Sequence, residues 1–178
     1  MTPADQFDPM RIIEVLDRHH VEYILVGGYA AQLYGSRRPT YDINITPSTT
    51  RQNLDRLSAA LRELHAGIRV DDQPEGLPFD CTAESLRGMQ LLNLRTAAGD
   101  LDLTFVPAGF PNGYEGLLPG AHARSIGDIS VTVAGLDDVI KSKTAAARAK
   151  DLDALPELIN IAKRDRSRSH DRDYGLEL

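Results

Sequence analysis

Apolar positions recur along this chain with two periods, and the switches between them mark the expected elements. In residues 8–20, Ile12, Val15, Leu16 and His19 lie on one helical stripe while Arg11, Glu14 and Asp17 lie off it, which predicts an amphipathic helix. The run YILV at 23–26 reads as a short buried strand ended by Gly27 and Gly28. An Ala-containing helix over 29–34 stops near Gly35, and residues 41–46 form the next strand, closed by Pro47 and Ser48. Ser48 or Thr49 can cap the clearest helix of the chain, in which Leu54, Leu57, Leu61 and Leu64 share a stripe and Arg51, Asp55, Arg62 and Glu63 lie outside it. Residues 66–88 are rich in Gly, Pro and Asp and read as loop, with one helical turn near 83–87.

Residues 89–95 and 100–106 flank Ala97, Ala98 and Gly99 as a hairpin; 107–119 read as a second loop. A further hairpin spans 121–126 and 129–134 around Gly127 and Asp128. Residues 136–149 read as a helix whose first turn holds Asp137 and Asp138, suited to the positive end of its dipole. Leu152, Leu155, Leu158, Ile159 and Ala162 predict a last helix, which Pro156 delays or kinks. The stretch 163–173 alternates in sign without an apolar residue and reads as a solvated or disordered tail. Strands mixed with helices imply an α/β or α+β sheet with helices on one side. The expected organisation is a core over 1–135, a helical segment over 136–163 that completes its site, and a tail over 164–178.

Composition narrows the class. The 178 residues, 42% apolar and 26% charged, suit one compact domain. No run is apolar enough to span a bilayer and MTPADQFDPM has no signal-peptide core, so a cytoplasmic protein without a membrane partner is expected. A single cysteine, Cys81, excludes an internal disulfide framework, and the five histidines show no metal-ligand spacing. The net charge of −6 argues against general polyanion binding, so a nucleic-acid partner needs a local basic patch.

The chemistry lies in the strands. Side chains alternate faces, so Asp42, Asn44 and Thr46 oppose Ile43 and Ile45, and Asp100, Asp102 and Thr104 oppose Leu101, Leu103 and Phe105. If the two strands are neighbours, Asp42, Asn44 and Asp102 converge as ligands for one or two Mg²⁺ ions shared with phosphates. The plainer reading, a half-exposed sheet face that happens to be acidic, suffices for one strand; two such strands and a glycine turn outweigh it. Gly27 and Gly28 let the backbone approach a phosphate, although the pair is neither a Walker A loop nor GxGxxG. Lys143 interrupts the stripe of Leu136, Val139, Ile140 and Ala147; it either clamps a triphosphate or snorkels outward. Arg37 and Arg38, with Lys141, Arg148 and Lys150, are the basic residues an RNA ligand would require.

Read in order, LVGGYAAQLYGSRRPTYDIN, GDLDLTFVPAGF and LDDVIKSKTAAARAKDLDAL resemble the nucleotidyltransferase superfamily, the DNA polymerase β-like fold, and within it most the AbiEii/MenT-type toxins of bacterial toxin–antitoxin systems. The likeness runs over residues 20–163. It implies that Gly27 and Gly28 form the phosphate turn, that Asp42 and Asp102 are the first and third catalytic carboxylates and metal ligands, that Lys143 contacts the nucleotide phosphates, and that Asp151 is the last motif's aspartate. Arg38 and Arg148 join the nucleotide-binding set. The implied activity is Mg²⁺-dependent transfer of NMP from an NTP to the 3′ end of tRNA, a translation-blocking toxin with a cognate antitoxin as partner. Transfer to a protein or small-molecule acceptor, and a non-catalytic nucleotide-binding role, are the alternatives. The departure is Asn44, where the family has Asp: an amide oxygen can still coordinate, but the negative charge is gone and the amide nitrogen cannot bind a cation. The resemblance therefore implies a weakened two-metal site, through deliberate inactivation, natural loss of catalysis, or reliance on a single metal, the first being the preferred explanation.

Overall fold

The computed structural model describes residues 6–174. Helix α1 (Pro9–Arg18) is capped by Asp8, whose Oδ1 accepts from Arg11 N–H at 3.0 Å. Strand β1 (Tyr23–Val26) runs directly into α2 (Gly27–Leu33), and β2 (Asp42–Pro47) follows. Helix α3 (Arg51–Glu63) is capped by Thr50 rather than by Ser48 or Thr49. Its buried Asn53 donates to Glu22 and Ser48 carbonyls at 2.8 and 2.7 Å and accepts from Glu22 N–H at 2.7 Å, tying the outer ends of β1 and β2 to the helix. A polar side chain is tolerated at that depth because every one of those bonds is made.

Strands β3 (Gly67–Val70), β4 (Gln73–Leu77), β5 (Leu91–Thr96), β6 (Gly99–Thr104), β7 (His122–Ile126) and β8 (Ile129–Val133) complete one eight-stranded mixed sheet of order β4-β3-β5-β6-β2-β1-β8-β7. At its centre β2 runs antiparallel to β1 and parallel to β6, while β1 runs parallel to β8. Ile43 and Ile45 of β2 and Leu101 and Leu103 of β6 are fully buried in one core with Ile12, Leu16, Leu54, Leu57 and Leu61 of α1 and α3. The opposite faces of β2 and β6 are left to the acidic residues. Helix α4 (Ala83–Leu86) packs on α3, and short α5 (Gly113–Leu117) sits against β1 and β2. Helix α6 (Leu136–Ala146) touches α2 and packs on α7 (Ala149–Tyr174). Among the described residues no helix is long and apolar enough to cross a membrane.

Four expectations give way. The loop read over 66–88 contains β3 and β4; Gly, Pro and Asp obscured a strand whose Gly67 and Ile68 pair with Arg95 and Leu94 of β5. The loop read over 107–119 contains α5. The helix read over 136–149 ends at Ala146, because Ala147 turns to φ 52° and its N–H closes on the Lys143 carbonyl. The expected tail instead continues α7 as a helix as far as Tyr174, with side chains 163–170 exposed; residues 175–178 lie outside the described residues. Adding turns to a helix already nucleated by packing avoids the cost of starting one, so a charged, core-free segment extends it. Pro156 does not delay the helix: α7 starts at Ala149 and runs through it, with Pro156 on the exposed face.

Candidate active site

The parallel pairing of β2 with β6 sets Asp42 opposite Asp100 and Asn44 opposite Asp102. All nine of the residues singled out from the sequence (Gly27, Gly28, Arg38, Asp42, Asn44, Asp102, Lys143, Arg148 and Asp151) line one open cleft of about 830 Å³. The β2 and β6 carboxylates form its floor. Gly27 and Gly28 open α2 beside them, and α6 and α7 supply the far wall.

Asp42 accepts from Thr40 Oγ1 and from Asn44 Nδ2, both at 3.1 Å. The glycine pair is what lets the chain lie against these two partners. Gly27 holds φ +72°, and a Cβ there would stand 2.9 Å from Asn44 Cβ; one at Gly28 would stand 2.9 Å from Thr40 Oγ1.

Asp102 is 9% exposed, and its Oδ1 lies 3.0 Å from Arg69 Nη1, which also lies 3.2 Å from Asp100 Oδ2. Asp100 pairs in addition with Arg95. Burial pushes the Asp102 carboxyl above the ordinary aspartate value; Arg69 opposes the rise, and the charges of Asp42 and Asp100 add to it. Although its charge is balanced by Arg69, Asp102 Oδ1 receives no well-aligned hydrogen bond. The cation beside that buried oxygen is the Arg69 guanidinium. Among the described residues no group of three or more carboxylate, histidine or cysteine side chains is disposed to hold a metal. The donors available here are the Asp42 and Asp102 carboxylates and the Asn44 amide oxygen, a set that fits one Mg²⁺ and does not amount to the all-carboxylate trio of a two-metal site.

On the far wall Lys143 has the partner its place on an apolar stripe requires: Asp151 Oδ1 lies 3.6 Å from its Nζ. Asp151 is 1% exposed and also accepts from Arg148, Nε to Oδ2 at 2.6 Å and Nη2 to Oδ1 at 3.3 Å. Burial alone would raise the Asp151 carboxyl; the Arg148 hydrogen bonds and charge, with the Lys143 charge, outweigh it and hold the group below the ordinary value. Asp151 thus fixes two cations of the wall, apart from the carboxylates of the floor.

The basic residues divide. Arg38, Arg148 and Lys150 are exposed at the cleft mouth, where Arg38 Nη1 donates to the Asp153 carbonyl at 3.4 Å. Arg37 is exposed beside them, its N–H on Glu157 Oε1 at 3.2 Å. Lys141 goes elsewhere, stacked 4.6 Å over the Phe110 ring. The sequence reading missed Arg69 and Thr40. For Arg69 a signal existed: Gly-Ile-Arg-Val places a polar residue between two β-branched ones, the alternation of a half-buried strand.

No protein family model matches this chain, and no curated protein matches it. Solved structures do. The lincosamide antibiotic adenylyltransferase LnuA, in a crystal structure with lincomycin bound, is 14% identical with a TM-score of 0.59 over 88% of this chain and 99% of that one. The antibiotic-resistance factor ANT(2'')-Ia, in a solution structure, is 14% identical with a TM-score of 0.52 over 93% of each chain. Neither is named as a toxin. At that identity the likeness speaks for architecture: the chain has the nucleotidyltransferase-type fold, a mixed sheet flanked by helices with helices at its C-terminal side.

Proposed function

We propose that this protein transfers a nucleotide from a Mg²⁺-bound NTP to a hydroxyl of a small-molecule acceptor. The observation that carries the reading is that Asp42 and Asp102 line one cleft from adjacent parallel strands, Asp102 opposite Asn44, with the glycine turn beside them and Lys143 across the same cleft. Asp42, Asp102 and the Asn44 amide oxygen are the groups that would hold the ion. When bound, Mg²⁺ neutralises phosphate charge and orients the triphosphate. Lys143 and Arg148, steadied by Asp151, meet the remaining phosphate charge, and the backbone at Gly27 and Gly28 lies close to it. Arg38 guards the mouth. The acceptor hydroxyl gives up its proton to solvent as its oxygen forms a bond to the α-phosphorus and the bond to the bridging oxygen breaks, and pyrophosphate leaves with the electron pair.

Three things support a small acceptor. The cleft volume is in the range of small-molecule sites. Tyr41 is the one aromatic side chain lining it among the described residues, too few for a base-stacking platform. Both structural neighbours are named for antibiotics, the lincosamide adenylyltransferase LnuA and the resistance factor ANT(2'')-Ia. A second reading, transfer to the 3′ end of tRNA as an antitoxin-controlled toxin, is favoured by the basic mouth of Arg37, Arg38, Arg148 and Lys150.

The deciding assay supplies Mg²⁺, each of four labelled NTPs, and either hydroxyl-bearing antibiotics or total tRNA. Label in a small molecule is expected, and none with Asp42→Asn. Label in tRNA alone would transfer the case to the second reading. No label in any acceptor, with Asn44→Asp also inert, sinks nucleotidyl transfer.

A further inference from the structure

Strand β3 brings a cation of its own to the metal floor. Arg69, from β3, is three-quarters buried, and its Nη1 reaches Asp102 at 3.0 Å and Asp100 at 3.2 Å. It is held charged: burial works against the guanidinium, but Asp102, Asp100 and Asp42 together raise its pKa further above the arginine value. The pairing of β3 with β5 fixes its strand, and a guanidinium is planar, weakly hydrated and unable to lose its proton. Asp42 is the one floor carboxylate with no ion pair among the described residues.

We propose that Arg69 takes the place of a second divalent cation, so that this chain engages its nucleotide with one metal ion where an all-carboxylate floor takes two. The inference rests on the nucleotide-site reading above and deepens it. Its basis is the charge at the floor. Asp42, Asp100 and Asp102 bring three negative charges, Arg69 and Arg95 return two, and Asn44 contributes none. One net negative charge supports one divalent ion. A second would sit against a fixed guanidinium at a separation where like charges repel strongly in a partly dry site. The arrangement also gives Asn44 a reason. An aspartate there serves a second ion; with Arg69 filling that place, an amide that steadies Asp42 is sufficient. Arg69 meets Asp102 at Oδ1, which is buried against it at 3.0 Å. The plainer alternative is an ion pair that only pins β3 to the sheet.

Counting ions separates the two. Mn²⁺ is titrated, by electron paramagnetic resonance of the free ion, into the purified chain with a saturating α,β-methylene NTP; bound nucleotide is measured in parallel. One Mn²⁺ per chain is expected, one again with Asn44→Asp alone, and two with the double variant Asn44→Asp/Arg69→Gln. Two Mn²⁺ in the unaltered chain or in Asn44→Asp overturn the proposal, and a single ion in the folded double variant overturns it as well. Nucleotide binding with two ions would leave the functional reading standing and remove this one. No nucleotide and no Mn²⁺ in any form would remove both.

Discussion

Gly27 shows how little room the site's second layer leaves. Its φ of +72° suits glycine, and the missing Cβ is the space that Asn44 fills. Gly27→Ala is expected to cost about 2 kcal/mol, combining left-handed strain with overpacking. Gly35→Ala, at φ +106° but with open space around it, meets the strain without the clash and should cost less in the same urea titration. Asp151 offers a second test at this scale. Its folded pKa is depressed, so its contribution to stability is present above the ordinary aspartate value and is lost as pH falls through the folded value. The gap in urea midpoint between the unaltered chain and Asp151→Asn should therefore be full at pH 7 and narrow in the acid range below about pH 4. A gap constant down to the acid limit would mean that Arg148 and Lys143 do not hold that charge. Arg69 was illegible at this scale because its partners lie on β6, three strands' worth of sequence away, and only pairing brings them to it.

Helix α7 is where element-level reading both succeeded and failed. Of the expected stripe Leu152, Leu155, Leu158, Ile159 and Ala162, only Leu158 and Ala162 are buried; Asp151 and Ala154 complete the inward face, while Leu152 and Ile159 are exposed. The exposed continuation beyond Ala162 was not readable from the sequence, because periodicity has nothing to register where no face is buried. Leu158 is fully buried and Ile159 is 37% exposed. Leu158→Ala should cost about 3 kcal/mol through transfer and cavity terms, and Ile159→Ala well under half of that. Equal losses in thermal or urea denaturation would show that the neighbouring face carries contacts the burial pattern does not. Strands β3 and β4 taught the converse: turn-forming residues dominated the window, and the short alternation of Gly67–Val70 decided its structure.

Across the whole molecule, a net charge of −6 coexists with exposed Arg38, Arg148 and Lys150 lining one cleft and exposed Arg37 next to Arg38 in the chain. The acceptor question belongs to this scale. A polyanionic acceptor must lie over that mouth and gain affinity from it, in a salt-dependent way. The double variant Arg37→Glu/Lys150→Glu should lower tRNA retention on a filter at least tenfold at low salt, while transfer to a small acceptor changes by less than about threefold, within what a screened surface charge can do. If small-molecule transfer collapses together with tRNA retention, the mouth is serving the nucleotide instead. Alternating apolar and acidic positions determined, from sequence alone, that β2 and β6 each have one core face and one carboxylate face, since strand geometry makes that a local property. The place of Lys143 on a buried stripe was local for the same reason. Which strands adjoin, that β2 meets β6 in parallel with Asn44 beside Asp102, that Asp151 is the partner of Lys143, and that Arg69 reaches the floor from β3 across β5 were decided only by tertiary structure. Each depends on contacts between residues far apart along the chain, and no period or spacing within one segment encodes them.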